Sequence, residues 1–260
     1  PGSGEEAGYV LVFDDITNLL AAQREAAWGE VARRLAHEIK NPLTPIQLSA
    51  ERMRRRFLAQ MNAADAAVLE RATHTIVQQV EAMKQMVNAF SEYARTPDMT
   101  IARFGLNQLV TEVADLYRAQ NASVTLHLDL AGEVDSVEAD RGRVRQILNN
   151  LLANAFEAVE GRTGARIDVM TRPGTEGSDP VAAITVSDNG PGFRSDIIER
   201  AFDPYVTSKT KGTGLGLAIV RRIAEEHGGH VEVENVVEGG ARVRVTLPLS
   251  DAARTHAGRE

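Results

Sequence analysis

The sequence predicts two domains of different class: a helical hairpin that pairs with a second copy into an antiparallel four-helix bundle, and an α/β sandwich that follows it. Three observations support this fold class. The length of 260 residues is enough for two ordinary domains. Apolar residues recur at helical spacing through most of the first hundred residues. From about residue 104 onward, short apolar strands alternate with helical segments, as in a sheet covered by helices.

The composition narrows the class of protein. Hydrophobic residues make up 43% and charged residues 25%, as in globular domains rather than disordered chains. The absence of cysteine excludes disulfides, thiolate metal sites and cysteine nucleophiles, and it fits a reducing compartment. The net charge of −7 argues against nucleic-acid binding, which needs a basic surface. Because no run of about 18 apolar residues exists, we expect no membrane contact by this segment.

The chain opens on a short run of strand-forming residues at positions 9–13. A single strand is not stable alone. We therefore interpret residues 1–14 as the end of a sensor domain that lies mostly upstream.

Two helices are predicted next. The first covers about residues 15–57, and Pro42 and Pro45 inside it predict a kink. A turn at residues 60–64 leads into a second helix, which Pro97 ends. Each helix carries one apolar seam at steps of three, four or seven residues: Leu20, Ala27, Val31, Leu35, Ile39, Leu43, Ile46, Ala50, Met53 and Phe57 in the first, and Leu69, Ala72, Ile76, Val80, Met83, Val87, Phe90 and Ala94 in the second.

One hairpin of this width cannot bury both seams by itself. Two hairpins packed as a four-helix bundle bury them, so we predict a homodimer. The alternative is a hairpin that packs on its own C-terminal domain.

The remaining chain divides into a helical domain at 15–98, a linker at 99–103, an α/β domain at 104–249 and a disordered tail at 250–260. We expect a mixed sheet with its helices on one face. The predicted helices cover 106–119, 141–160 and 214–227, and the predicted strands cover 123–130, 166–171, 181–187, 231–234 and 243–247.

His37 is the first candidate for chemistry. It lies two residues beyond Leu35 of the seam, about 200° around the helix, so we expect it to face solvent. An exposed imidazole is a nucleophile when a neighbour holds its other ring nitrogen or takes its proton, and the adjacent Glu38 suits that role. Asn41, one turn on, lies on the same face, where it can orient a water or a phosphoryl oxygen. For His37 alone, a solvated surface histidine is the alternative interpretation.

Asn150 and Asn154 form a second constellation, four residues apart on a predicted helix whose leucines turn toward a core. An amide carbonyl oxygen suits Mg²⁺, and the amide nitrogen can reach a phosphate. Surface polarity of the helix is the alternative, although asparagine is a poor helix former.

Two glycine-rich turns follow. Asp188 ends a strand and is followed by Asn-Gly-Pro-Gly, so that its carboxylate can accept a hydrogen bond from an adenine amino group. A second turn, from Gly212 to Gly216, leads into a helix whose free N–H groups attract phosphate. Alone, the first is only a turn signal, and the second also marks dinucleotide-binding folds. The order of asparagine helix, aspartate turn and glycine turn argues against the dinucleotide interpretation.

Taken in this order, the segments resemble the sensor histidine kinases of two-component systems over roughly residues 15–249. The resemblance implies that His37 is the phosphoacceptor, that Glu38 assists it and that Asn41 supports dephosphorylation of the partner. It also implies a C-terminal domain of the histidine kinase, gyrase and chaperone type that binds ATP and Mg²⁺, with Asn154 as the Mg²⁺ ligand. The nucleotide-binding residues that it implies are Asn150, Asn154, Asp188, Gly190, Gly192, Lys209, Gly212, Gly214 and Gly216.

Three details of the resemblance stay open. Many members place Lys or Arg where this chain has Glu157, so a phosphate contact is in doubt there. The stretch 203–213 resembles the mobile ATP lid, in which Lys209 and Lys211 either neutralise phosphate or are solvated. Gly239 and Gly240 are a hairpin turn or the family's weaker third glycine position, and we favour the turn.

The implied activity is that of an ATP-dependent protein-histidine kinase, which autophosphorylates, passes the phosphoryl group to an aspartate of a response regulator and also dephosphorylates that regulator. Residues 42–52 resemble nitrogen-regulation kinases of the NtrY type, and residues 14–17 resemble the exit from a PAS sensor domain. We therefore expect the cytoplasmic part of an inner-membrane sensor. The alternatives are an ATPase of the gyrase, mismatch-repair or chaperone type, which leaves the helical domain unexplained, and a regulatory phosphatase or dimeric scaffold that uses Asn41.

Overall fold

The computed structural model describes residues 17–94, 99–134, 136–177, 179–207 and 212–249. The predicted strand at 9–13 and the predicted tail at 250–260 lie outside the described residues. So does Lys209.

Two long helices form the predicted antiparallel hairpin: α1 (Thr17–Phe57) and α2 (Ala63–Ala94). Helix α1 runs through Pro42 and Pro45 without a break. Lys84 Nζ donates a hydrogen bond to Gln47 Oε1 at 2.6 Å, and this contact sets the level at which the two helices lie side by side.

The predicted turn at 60–64 is wrong in its position. A short 3₁₀ segment, Leu58–Gln60, follows α1, and α2 already begins at Ala63. The reason is an N-cap that the prediction overlooked: Asn62 Oδ1 accepts a hydrogen bond from Asp65 N at 3.0 Å, and Asn62 Nδ2 donates to the Asp65 carboxylate at 2.6 Å.

The prediction of one apolar seam on α1 is also wrong, because the described part of the helix carries two stripes. Small residues and Leu43 pack against α2, where Thr73 and Val80 are buried. The larger apolar residues point away from that contact and are between 37% and 48% exposed in the single chain. The buried stripe is Ala32, Ala36, Leu43 and Ala50, and the exposed stripe, with its neighbours on α2, is Val31, Leu35, Ile39, Ile46, Met53, Phe57, Ile76 and Met83.

The second half of the chain is the predicted α/β domain. The helices and strands that were predicted begin and end within a few residues of their predicted bounds, except that β4 extends five residues further. The elements are β1 (Ala102–Gly105), α3 (Leu106–Gln120), β2 (Thr125–Leu130), β3 (Ser136–Ala139), α4 (Arg141–Ala158), β4 (Arg166–Glu176), β5 (Asp179–Asp188), α5 (Ser195–Ile198), α6 (Gly216–Glu226), β6 (Val231–Asn235) and β7 (Ala241–Pro248).

The main sheet has the order β2-β4-β5-β7-β6, with β2 and β4 parallel and the other pairs antiparallel. Alternate residues of β4, such as Ile167 and Val169, are buried against α3, α4 and α6. The other face carries charged pairs, such as Arg166 with Asp168 at 2.8 Å. The predicted mixed sheet with helices on one face is therefore confirmed.

A second, two-stranded sheet was not predicted. β1 pairs antiparallel with β3, and β1 begins at Ala102, inside the stretch interpreted as a linker. Four-residue strands are too short to show an alternating pattern, so the sequence gives no signal for them.

Helices α4 and α6 lie antiparallel on the sheet. At one end, Arg143 Nη2 of α4 contacts Glu226 Oε2 of α6 at 2.7 Å. At the other end, the first residue of α6, Gly216, lies against Asn150 and Asn154. The packing of these two helices therefore brings the asparagine helix to the glycine turn.

Candidate nucleotide-binding site and phosphoacceptor histidine

A cavity of about 470 Å³ opens where α4, the end of β5, the start of β7 and the start of α6 meet. It contains the asparagines and the aspartate that the sequence singled out. Its lining residues are Gln85, Ala89, Asn150, Leu151, Ala153, Asn154, Ala155, Glu157, Ala158, Val186, Asp188, Gly192, Phe193, Ile197, Ala201, Val206, Thr207, Gly212, Thr213, Gly214, Gly216, Leu217, Ile219, Ala241 and Val243.

The two asparagines project from α4 toward the start of α6. Leu148, Leu151 and Leu152 of the same helix are buried, as predicted. A Cβ atom on Gly216 would lie 3.2 Å from Asn150 Oδ1 and 3.5 Å from Asn154 Nδ2. The amides and the first N–H groups of α6 therefore face one small volume, which suits phosphate and a hard cation.

Asp188 lies at the end of β5 and lines the cavity. Its Oδ1 accepts hydrogen bonds from Gly190 N at 2.8 Å and Ala241 N at 3.4 Å. Gly240 has φ +99°, and a Cβ atom there would lie 1.9 Å from Asp188 O. The preferred interpretation of Gly240 as a turn residue is thus incomplete. Gly240 closes the β6–β7 turn, and it also lies so close to the backbone of Asp188 that a side chain would not fit between them.

The base of the predicted lid is closed by a backbone contact. Tyr205 N donates to Gly214 O at 3.0 Å, and both residues have positive φ, +66° and +67°. In the segment between Tyr205 and Gly214, the residues Thr207, Gly212 and Thr213 line the cavity. Lys211, like Lys209, lies outside the described residues.

The other implied glycines lie at or beside the cavity. Gly192 lines it, whereas Gly190 is buried beneath the aspartate turn and contributes its N–H to Asp188. Val186, Ile219 and Val243 form an apolar wall next to Asp188, which suits a flat heterocycle whose amino group meets the carboxylate.

His37 does not line the cavity. It is exposed on α1, as predicted, and Asn41 is exposed one turn away. Glu38 was expected to assist the imidazole, but its Oε1 accepts a hydrogen bond from Arg34 Nε at 3.1 Å. Side chains at i and i+1 point about 100° apart on a helix, which favours the i–4 partner.

Helix α2 forms part of the cavity wall through Gln85 and Ala89, which sequence reasoning missed. No periodic signal marks them. Because Lys84 lies level with Gln47, the cavity lies beside the hairpin about 7–14 Å along the axis from the level of His37, at 1.5 Å per residue.

The charges on the described part of the cavity wall are acidic. Glu157 and Asp188 line it, and no lysine, arginine or histidine does so among the described residues. Burial raises the pKa of Tyr117, which lies under α4, and the negative charge of Glu157 adds to that shift.

Comparison with known proteins agrees with this geometry. Residues 139–251 match the family of histidine kinase-, DNA gyrase B- and HSP90-like ATPases, and residues 27–98 match the His Kinase A phospho-acceptor domain. The solved catalytic domain of histidine kinase ThkA is 32% identical with a TM-score of 0.53, and the match covers 60% of this chain and 100% of that one. The chain belongs to the histidine kinases.

Longer relatives share both halves of this kinase core. Nitrogen regulation protein NtrY of Azorhizobium caulinodans is 42% identical over 93% of this chain, and the histidine-protein kinase AtoS of Escherichia coli is 30% identical over 95%. The chain spans 31% of the length of that NtrY and 40% of AtoS. ThkA in complex with response regulator TrrA matches with a TM-score of 0.62 and 28% identity, over 91% of this chain and 68% of that one.

The phospho-acceptor match over residues 27–98 accounts for the helical domain, which the ATPase-only alternative left unexplained. Within the described residues of the kinase core, no helix combines the length and the apolar character that crossing a bilayer requires.

Proposed function

We propose that this chain binds Mg-ATP in the cavity beside Asn150, Asn154 and Asp188, phosphorylates its own His37 and passes the phosphoryl group to an aspartate of a response regulator. The observation that carries the proposal is the presence, in one chain, of this cavity and an exposed histidine on a helical hairpin. Full-length ShkA, with a TM-score of 0.64 and 26% identity over 85% of this chain and 46% of that one, was solved with AMPPNP.

The chemistry follows from the residues present. An unprotonated ring nitrogen of His37 attacks the γ-phosphorus, the bond to the β–γ bridging oxygen breaks, and ADP leaves. The proton on the other ring nitrogen passes to Glu38. The exposed Arg34–Glu38 pair that must open first is worth less than about 1 kcal/mol. When bound, Mg²⁺ neutralises phosphate charge, and the Asn154 oxygen is a donor that suits it.

The position of the cavity implies a domain movement. Its wall at Gln85 and Ala89 is displaced along the hairpin axis from the level of His37, toward the turn that joins the two helices. Because phosphoryl transfer requires the reacting atoms to approach to about 3–3.5 Å, the α/β domain must shift along the hairpin before transfer. An upstream signal that moves α1 can control this step.

The exposed apolar stripe on α1 and α2 supports a homodimer. We further propose that the dimer is the cytoplasmic part of a membrane-anchored sensor and that it serves nitrogen-related signalling. The similarity to nitrogen regulation protein NtrY supports the second of these points. The described hairpin also contacts its own α/β domain, through Ala89 and Phe90. This contact leaves the exposed apolar stripe uncovered. The packing of the hairpin on its own α/β domain is therefore compatible with a homodimer.

Incubation with γ-labelled ATP tests the proposal. The wild-type chain should acquire a label that is lost in acid, as a phosphoramidate is, and His37→Gln should acquire none. His74→Gln is the matched control, since His74 is also exposed on the hairpin. An acid-stable label, or labelling that persists in His37→Gln, would contradict the proposal.

The same labelled protein tests the partner. Label should pass to a receiver domain within minutes, and its lifetime there should shorten when the unlabelled chain is added. We assign that dephosphorylation to Asn41, which is exposed one turn from His37.

A further inference from the structure

One face of α4 forms a continuous wall of the cavity. The wall residues Asn150, Ala153, Asn154, Glu157 and Ala158 are spaced by three, one, three and one, which places them on a single helix face. Glu157 therefore lies one turn beyond Asn154, on the same side of the helix.

The negative charge of this wall is unfavourable for the binding of a nucleotide without a cation. A triphosphate carries several negative charges, and the carboxylate of Glu157, which is exposed at the cavity wall, repels them. Asp188, the other acidic lining residue, already accepts hydrogen bonds from the backbone N–H groups of Gly190 and Ala241. Among the described lining residues, Glu157 is the acidic one on α4, the helix that also carries Asn154.

A divalent cation resolves this conflict. Protein-bound Mg²⁺ is held by one or two carboxylates together with phosphate oxygens, and it keeps several waters. Asn154 supplies a neutral amide oxygen, which contributes no charge. A carboxylate one turn away supplies the missing charge, directly or through a water.

We propose that Glu157 is a second anchor of the Mg²⁺ that accompanies the nucleotide, next to Asn154. This inference rests on the proposed function, because it assigns a residue to the same nucleotide site. It reverses the contact that the resemblance implied: where a Lys or Arg would meet phosphate, this chain presents a carboxylate that meets the cation.

The test is a binding measurement and not an activity assay. Calorimetry with AMPPNP, in EDTA and over a range of Mg²⁺ concentrations, compares the wild-type chain with Glu157→Gln and Glu157→Lys. For Glu157→Gln, the Mg²⁺ concentration that gives half-maximal binding should rise about tenfold, the effect of one charged interaction. Binding in EDTA should be unchanged or tighter, since a repulsive charge is gone, and Glu157→Lys should bind tightest in EDTA with the weakest dependence on Mg²⁺.

Glu160→Gln is the matched control, since Glu160 is exposed just after α4 and lies outside the cavity lining. It should behave as wild type. An unchanged Mg²⁺ dependence in Glu157→Gln would overturn the inference, and so would equal weakening with and without Mg²⁺, which indicates a purely structural role. Both results leave the proposed function standing, whereas a wild-type chain that binds no AMPPNP even with Mg²⁺ would remove the proposed function itself.

Discussion

Asp140 couples the charge of a single side chain to the stability of the α/β domain. Its carboxylate caps α4 by accepting from Gly142 N at 2.9 Å and Arg143 N at 3.1 Å, and it also accepts from Thr100 N at 2.9 Å. Burial alone would raise the pKa of Asp140. The N–H donors together lower it by more than burial raises it, so the net shift is downward. The folded state therefore holds the carboxylate ionised at a pH where the unfolded chain has begun to protonate.

The sign of the resulting pH dependence follows. Because the folded pKa is below the unfolded one, the stabilisation is complete above about pH 5 and is lost as the pH falls through the folded pKa. Asp140→Asn should keep a helix cap but lose the pH dependence that the carboxylate gives to the free energy of unfolding. Asp140→Ala should lower the free energy of unfolding by about 1 kcal/mol already at pH 7. Urea unfolding from pH 3 to 7 measures both. A wild-type slope retained in Asp140→Asn would contradict the account.

At the scale of the element, the base of the lid is closed by the contact of Gly214 with Tyr205. A Cβ atom on Gly214 would lie 2.6 Å from Tyr205 C and 2.8 Å from Val206 N, which are backbone atoms that cannot rotate away. Gly214→Ala should therefore open the base of the lid and weaken AMPPNP binding about tenfold or more, since substitution at a strained positive φ costs on the order of 1–3 kcal/mol. Calorimetry at saturating Mg²⁺ measures the loss.

Gly132→Ala serves as the control for that substitution. Nothing lies within 4 Å of a Cβ atom built on Gly132, and its φ is not positive, so binding should not change. Equal affinity of Gly214→Ala and wild type would mean that the lid base does not shape the site.

The local residues of the site could be predicted, whereas their long-range neighbours could not. Asn150, Asn154 and Asp188 follow from short motifs, because one helix or one turn positions each of them. Gly240, in the turn before β7, lies directly against the backbone of Asp188, and Gln85 reaches the cavity from another domain, so neither role is visible in local sequence. Asp140 did carry a signal, an aspartate directly before a helical pattern, that the prediction did not use.

The distinction between local and long-range contacts also explains why the helical hairpin was predicted with errors. Periodicity gives the apolar positions on α1, but it cannot divide them between a partner within the chain and a partner outside it. Small residues such as Ala36 meet α2 closely, and large ones such as Ile46 remain exposed. The division depends on the distance between the two helices, which is a property of their packing.

At the scale of the whole molecule, the exposed apolar stripe predicts the oligomeric state. Ile46 and Ile76 are 47% and 37% exposed and border one groove on the hairpin surface. Full burial of an exposed isoleucine contributes about 1.5–3 kcal/mol, so covering the exposed half of Ile46 contributes about half of that, and it does so twice in a dimer. Ile46→Asp should therefore weaken dimerisation by at least about a hundredfold, because it also buries a charge in the interface.

Sedimentation equilibrium over a range of protein concentrations measures this effect. Val237→Asp is the control, since Val237 is fully exposed in the β6–β7 turn, and it should leave the dimer intact. A wild-type chain that sediments as a monomer, or a dimer unchanged by Ile46→Asp, would show that the stripe packs against something other than a second copy.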